Sequence, residues 1–351
     1  MDILLITLEE LFSSAQSWLF EAVFQPIAFG LGQGGFLMEA FNGTAWFLVG
    51  LIQIAVMLIV IKPLELWRPA QSVIDKAAVR VDVLYTLIHR LGLFKLLMFL
   101  TLEPFFDDMI GVLRVWGVGT FHLDQIWTGV TDTPVVSFLI YLVAFDFVNY
   151  LIHRGQHQFN WWWNLHAVHH SQRQMTMWTD NRNHLIDSVL VDFILVFVSL
   201  AIGVAPSQFI LIVALTQLSE SFQHANVKLW FGQVGERLWI SPRFHRLHHS
   251  IGIGHETIVG KKQFPAEPPQ GELAPAGGSA AHEVASVGVT VLGGHNFGVL
   301  LPWWDMIFGT ANFELRYDPT GIRDQVESGR DYGAGFWAQQ IQGVKRLFGR
   351  A

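Results

Sequence analysis

The stretch Pro134 to His157 reads PVVSFLIYLVAFDFVNYLIHRGQH, an apolar run that ends on two histidines four residues apart. Its 24 residues make about 36 Å of helix at 1.5 Å per residue, against about 30 Å of hydrocarbon in a bilayer. A helix entering near Pro134 therefore delivers His153 and His157 at the opposite membrane surface. Asp146, Tyr150, His153 and His157 stand at i, i+4, i+7 and i+11, on one stripe of that helix. A carboxylate inside a bilayer is costly unless partnered. Asp146 is expected either to hold a ligand histidine's second nitrogen or to order water there, or else to make a helix–helix hydrogen bond.

The neighbouring sequence has the same character. Ala45 to Ile61 is 17 residues without a charge, closed by Pro63, Glu65 and Arg68. Val83 to Leu102 is a weaker apolar run, carrying His89, Arg90 and Lys95. Leu185–Val204 and Ser207–Leu218 are separated only by Ala205-Pro206, so they read as a hairpin that need not fully cross. Residues 1–44 lack the basic start of a cleavable signal peptide and carry Asp2, Glu9 and Glu10 instead. Their apolar residues between Ile3 and Phe29 recur at helical spacing, as in an interfacial or additional spanning helix.

Composition agrees. Of 351 residues, 51% are apolar and only 15% charged, against about 25% charged in an ordinary soluble domain. Global disorder is excluded, and a soluble enzyme is disfavoured. With 22 basic against 29 acidic residues and a net charge of −7, no nucleic-acid partner is expected. No cysteine is present, which removes disulfides, iron–sulfur clusters, thiolate zinc sites and cysteine nucleophiles together. The basic residues Lys62, Arg68, Lys76 and Arg80, then Arg154, Arg173 and Arg182, then Arg237, Arg243 and Arg246 flank the apolar runs on alternate sides. The positive-inside rule puts 62–82, 153–184 and the C-terminal third in the cytoplasm.

Histidine is the polar residue in excess, at 15. Eight of them form three runs: His153-Arg-Gly-Gln-His157, His166-Ala-Val-His169-His170 and His245-Arg-Leu-His248-His249. On a helix, i, i+3 and i+4 share one face about 5–6 Å apart, so each run aims two or three imidazoles at one point. Neutral imidazole suits iron, zinc, copper and nickel. Eight rings exceed the four-coordinate need of one zinc, and two metals are the simplest account.

These three boxes, in this order, resemble the fatty acid hydroxylase / sterol desaturase superfamily of integral-membrane oxygenases. Asn296-Phe-Gly298 and Trp304-Asp305-Met-Ile-Phe-Gly309-Thr310 after the third box resemble that family's ending; the resemblance covers roughly residues 46–312. It implies a non-haem di-iron centre that activates O₂ to attack an unactivated C–H bond of a lipid, the outcome being hydroxylation or desaturation. Iron is preferred because zinc has no redox chemistry, although the ligand set alone also fits zinc. Metal ligands are expected at His153, His157, His166, His169, His170, His245, His248 and His249. His224 matches a family position before the third box and is counted with them. His184, Glu220, Asp146, His295 and Asn296 are candidates to touch a metal or one of its ligands. Glu220 and His224 stand at i and i+4, the spacing of the first box; the carboxylate either binds metal or accepts a ligand's proton.

The expected fold is an all-α integral membrane protein with four or five spanning or re-entrant helices and a cytoplasmic helical cap holding a dimetal site. Residues 1–44 form an N-terminal segment, 45–312 the membrane oxygenase domain, and 313–351 a C-terminal cytoplasmic tail. Within the domain, 257–292 is rich in Pro and Gly, reads as a flexible insertion, and departs from the family pattern. The chain offers no ligands for an iron–sulfur cluster and no recognisable haem or flavin segment, so a separate reductase or ferredoxin-like donor is expected. A bacterial inner membrane is preferred over the endoplasmic reticulum. Two other readings stand beside the oxygenase: a zinc-dependent membrane lipid hydrolase, and a metal transporter. The transporter is disfavoured because its ligands should lie near the bilayer midplane.

Overall fold

Two prolines and one glycine set the frame of the membrane helices. In the computed structural model, which describes residues 2–92, 94, 105, 106, 108–251, 256–259, 289–292 and 294–350, Pro134 opens one long helix and Pro206 another, each in its first turn. Proline suits that position because its missing N–H would have no intrahelical partner there. Gly203 ends the intervening helix in the left-handed conformation, φ 70°, which costs a glycine nothing.

Helix α1 (Asp2–Leu19) continues through a π-turn at Phe20–Phe24 into Gln25–Gly30. It folds back on α2 (Leu37–Val56), with Phe20 against Phe41 and Phe24 against Phe47. Helix α2 itself runs on through a second π-turn to Trp67. Next come α3 (Lys76–Arg90), α4 (Pro134–Gln158), α5 (Asn160–His170), α6 (Leu185–Ile202), α7 (Pro206–Gln223), the short α8 (Pro242–His248) and α9 (Phe336–Leu347). Among the described residues three helical stretches are long and apolar enough to cross a membrane: Gly34–Trp67, Pro134–Gln158 and Leu185–Ile202. Helix α7 packs beside them as the return arm of the expected hairpin, but Gln208, Thr216, Gln217, Ser219 and Glu220 make it more polar.

The run Val83–Leu102 is not one membrane helix. Helix α3 ends at Arg90, and Gly92 turns the chain at φ 75°; residues 93 and 95–104 lie outside the described residues. Asp82 and Arg90 are buried and paired with Arg182 and Asp180, each at 2.7 Å. At 15 residues, α3 is shorter than the about 20 that cross hydrocarbon.

Two apolar clusters join the helices. Tyr141, Leu142 and Phe145 of α4 pack with Ile212 of α7 and Leu300–Leu301. Met57 and Ile61 at the end of α2 pack with Met177, Ala225 and Val227. The late end of α2, the late ends of α4 and α7 and the start of α6 therefore lie together on one side. The three basic segments meet on that side.

The insertion is bracketed by an antiparallel ribbon, β1 (Glu256–Val259) and β2 (Val289–Leu292), with Val259 opposite Val289. The body of the insertion, 260–288, lies outside the described residues. In the C-terminal tail α9 packs along α5.

Candidate metal centre

Nine histidines converge where the spans end. Helix α4 carries His153 and His157 on its last two turns, and Phe159 breaks it with an extended φ of −96° and ψ of 115°. The break lets α5 turn back at once, bringing His166, His169 and His170 toward the first box. His224 caps the end of α7. Ser241 caps α8 by accepting from Phe244 N–H, with Pro242 in the first turn, and α8 supplies His245 and His248, with His249 at its end. All nine rings are buried, none more than 8% exposed.

One nitrogen each from His153, His157, His166 and His170 lie within 4.8 Å of one another, as do one each from His169, His224, His245 and His249. His248 joins His170 and His249 in a third such group. Two tetra-histidine groups bridged by a ninth ring match the sequence expectation of two metals.

Backbone carbonyls fix the tautomers. His153 Nδ1 faces Phe297 O at 2.9 Å, His224 Nδ1 faces Glu220 O at 2.7 Å, and His248 Nδ1 faces His295 O at 2.7 Å. A carbonyl only accepts, so each of these rings carries its proton on Nδ1 and presents a bare lone pair at Nε2. His166 is held the same way by Asp187 Oδ2 at 3.2 Å. Around His224 the Nε2 atoms crowd: 3.1 Å to His169 and 3.0 Å to His245, which lies 3.1 Å from His249. His166 Nε2 and the Nδ1 atoms of His169, His245 and His249 are buried with no hydrogen-bond partner. The Nε2 atoms of His169, His224, His245 and His249 converge without enough protons to bond one another, and a cation is what relieves converging lone pairs. The donor set therefore fits two metal ions held by imidazole. Burial and the neighbouring histidines push the pKa values of His169, His170, His245 and His249 well below the usual 6.5. These rings are neutral, as a metal ligand must be.

The remaining candidates do other work. Asp146 accepts from Leu300 N (2.7 Å), Leu301 N (3.3 Å) and Trp304 Nε1 (2.9 Å). It pins the C-terminal segment to the spanning helix and reaches no histidine, because the buried N–H groups of Leu300 and Leu301 are nearer. His184 caps α6 through Nδ1, accepting from Ile186 N–H, and donates from Nε2 to Gln340 O, so it is a structural joint. His295 contributes its carbonyl to His248, not its ring. Glu220 contributes its carbonyl to His224, while its carboxylate lines the adjoining cavity. Asn296, at φ 63°, donates to Phe244 O and Asn312 O and accepts from Asn312 N–H, bracing α8.

That brace explains the second motif. Asp305 accepts from Phe297 N, Gly298 N and the Thr310 hydroxyl. A Cβ on Gly298 would sit 2.9 Å from that carboxylate and 2.8 Å from Leu301 O. Asn-Phe-Gly and Trp-Asp-Met-Ile-Phe-Gly-Thr thus lock together and present the carbonyls that orient His153 and His248.

The sequence reading missed Asp187. Buried at 1% exposure, it accepts from Gln156 Nε2 (2.9 Å), Trp162 Nε1 (2.6 Å) and His166 Nδ1. Its sequence signal is an acidic residue in the first turn of a helix that is mostly apolar.

Residues 138–257 match the model of the fatty acid hydroxylase family. A 109-residue stretch is 30% identical to ornithine lipid hydroxylase OlsE of Rhizobium tropici, covering 31% of this chain and 33% of that protein. The match thus spans about a third of the relative's length. No solved structure matches. The segment that matches the fatty acid hydroxylase family carries all nine histidines of the buried centre, and over that segment the chain is similar to this family.

Proposed function

We propose that this protein is an O₂-dependent hydroxylase of a membrane lipid. The observation that carries the reading is a cavity of about 400 Å³ that starts at His153, His166, His169, His224 and His245 and continues between α4, α6 and α7. Asp187, Val191, Leu195 and Ser199 line it from α6, and Phe209, Ile212, Thr216 and Glu220 from α7. Asp187 to Ser199 is about 18 Å of helix, comparable with one leaflet of hydrocarbon, about 15 Å. An acyl segment fits there with its reactive carbon at the histidine end. Hydrolysis of an ester would need no such apolar depth.

His153, His157, His166 and His170 would hold one iron, and His169, His224, His245 and His249 the other, with His248 between them. Bound iron would supply the redox chemistry that neither imidazole nor zinc provides. The chain's own residues bury the site, hold each ring neutral and oriented, and align the lipid. Inserting one oxygen atom into a C–H bond while the other leaves as water takes two electrons and two protons. This chain carries no carrier for the electrons, so a separate donor must dock. The basic segments on the histidine side support a cytoplasmic face for the site, and a bacterial inner membrane is the membrane we propose. The name of the matched relative points to a lipid with a polar head as the substrate class.

The test is metal analysis of protein purified without oxygen, joined to O₂ uptake and lipid analysis of membranes with and without the protein. Two irons per chain and a lipid gaining one oxygen are expected. His224→Ala should lose bound iron and turnover together. Zinc alone with ester cleavage would overturn the reading, and a product short of two hydrogens with no added oxygen would make it a desaturase.

A further inference from the structure

The C-terminal helix α9 has three faces. Phe336, Gln339, Gln340, Gly343 and Arg346 are buried. Trp337, Ile341 and Phe348 are 70%, 54% and 69% exposed. At 100° per residue these three fall within about 40° of one another, so they form one narrow apolar stripe. Lys345 lies beside it and is exposed.

Its depth is fixed by hydrogen bonds to the start of a span. Gln340 O accepts from His184 Nε2 at 2.9 Å, and Gln340 Oε1 accepts from Leu185 N–H at 2.8 Å; Leu185 is the first residue of the apolar stretch Leu185–Ile202. A Cβ on Gly343 would stand 2.3 Å from the His184 ring, so the helix is seated there as closely as a backbone allows. Its two ends are anchored apart: Phe336 lies against Tyr85, ring centres 4.6 Å apart, while Arg346 Nε donates to Asn164 O at 3.2 Å. Asn164 sits on α5, which begins two residues after α4 ends. The helix therefore lies across the ends of the membrane helices, at the level where hydrocarbon stops.

We propose that α9 is a membrane-surface helix, with Trp337, Ile341 and Phe348 seated in the headgroup region of the bilayer that the spans cross. Three observations select lipid as the occupant. Gln340, on the buried face of the same helix, is bonded to a span's first residue, which sets the helix at that level. Tryptophan prefers that depth, and Trp161 and Ile186, exposed at the same helix ends, continue the apolar level. After Asp331 the exposed charged residues are Lys345 and Arg350, both basic, the charge that suits anionic headgroups. Docked this way, α9 holds His184, and with it the first turn of α6 that carries Asp187, at a set depth relative to the lipid.

The absence of cysteine makes the test clean. Ile341→Cys, Phe348→Cys and Lys345→Cys are each labelled with a nitroxide in the full chain and reconstituted into phosphatidylcholine–phosphatidylglycerol vesicles. Accessibility to O₂ and to a water-soluble nickel chelate is then read by power saturation. Labels at 341 and 348 should favour O₂ over nickel, and the label at 345 should favour nickel. Nickel dominating at all three positions would overturn the proposal. So would exclusion of both relaxants with spin–spin broadening, which would identify a second copy of the chain as the occupant. Trp337→Cys, on the same stripe, serves if either apolar position fails to yield folded protein.

Discussion

Asp187 receives three donors with two oxygens: the Gln156 amide, the Trp162 indole and the His166 ring. Changing it to asparagine keeps the shape but turns one acceptor into a donor that faces other donors. Outer ligand supports of this kind are worth about 10–100-fold in metal affinity. Asp187→Asn should therefore weaken metal binding by about that factor, measured by competitive chelator titration, with the fold retained. Asp187→Ala should also lower the unfolding temperature, since each buried donor left alone costs about 1–3 kcal/mol. The four strongly depressed histidines give a second expectation. An unfolded chain protonates these rings as pH falls below about 6.5, whereas the folded chain keeps them neutral. Stability of the metal-free protein is thus fully present above that pH and lost below it, at up to about 1.4 kcal/mol per ring per pH unit. Asp305, which burial raises to about 6, and Glu220, also raised by burial, work the other way, but they are two carboxyls against four strongly lowered rings. Denaturation midpoints measured from pH 8 to pH 5 should fall with pH, and a flat profile would contradict the assignment of these rings as buried and neutral.

Helices α6 and α7 each give one face to the cavity, and the faces read directly as helical spacing: Asp187, Val191, Leu195 and Ser199 on one, Phe209, Ile212, Thr216 and Glu220 on the other. Leu195 is about 12 Å along the helix from Asp187 at 1.5 Å per residue. Leu195→Trp should block the deeper part without touching the histidines. Metal content should stay at the wild-type value while the preferred acyl segment shortens, as read from product chain lengths in lipid extracts. Equal loss of turnover across all chain lengths would mean that the lipid does not lie along this face.

The whole molecule is arranged so that the late ends of α2, α4 and α7 and the start of α6 meet, and the motif segment 294–312 closes over them. The ribbon β1–β2 places Val259 opposite Val289, so the chain enters and leaves the insertion at neighbouring points. Replacing residues 260–288 by a short turn should leave metal content and thermal stability unchanged. Activity lost with metals still bound would show that the insertion serves the lipid or the electron donor.

The sequence by itself indicated the long apolar helices and the nine histidines now found together. Apolar run length, helical spacing and ligand chemistry are local properties that a linear pattern records. Of the run Val83–Leu102 the described part ends as helix α3 at Arg90, and its charges and that of Asp82 read as interruptions until Asp180 and Arg182 supply their partners from 90 and 100 residues away. Asp146, His184, His295 and Asn296 were rightly singled out as unusual residues, yet their roles depend on which backbone group stands nearest. Asp187 was missed for the same reason. Hydrogen-bond partners across the fold are set by packing, and only the tertiary structure decides whether a residue beside a ligand offers its side chain, its carbonyl or neither.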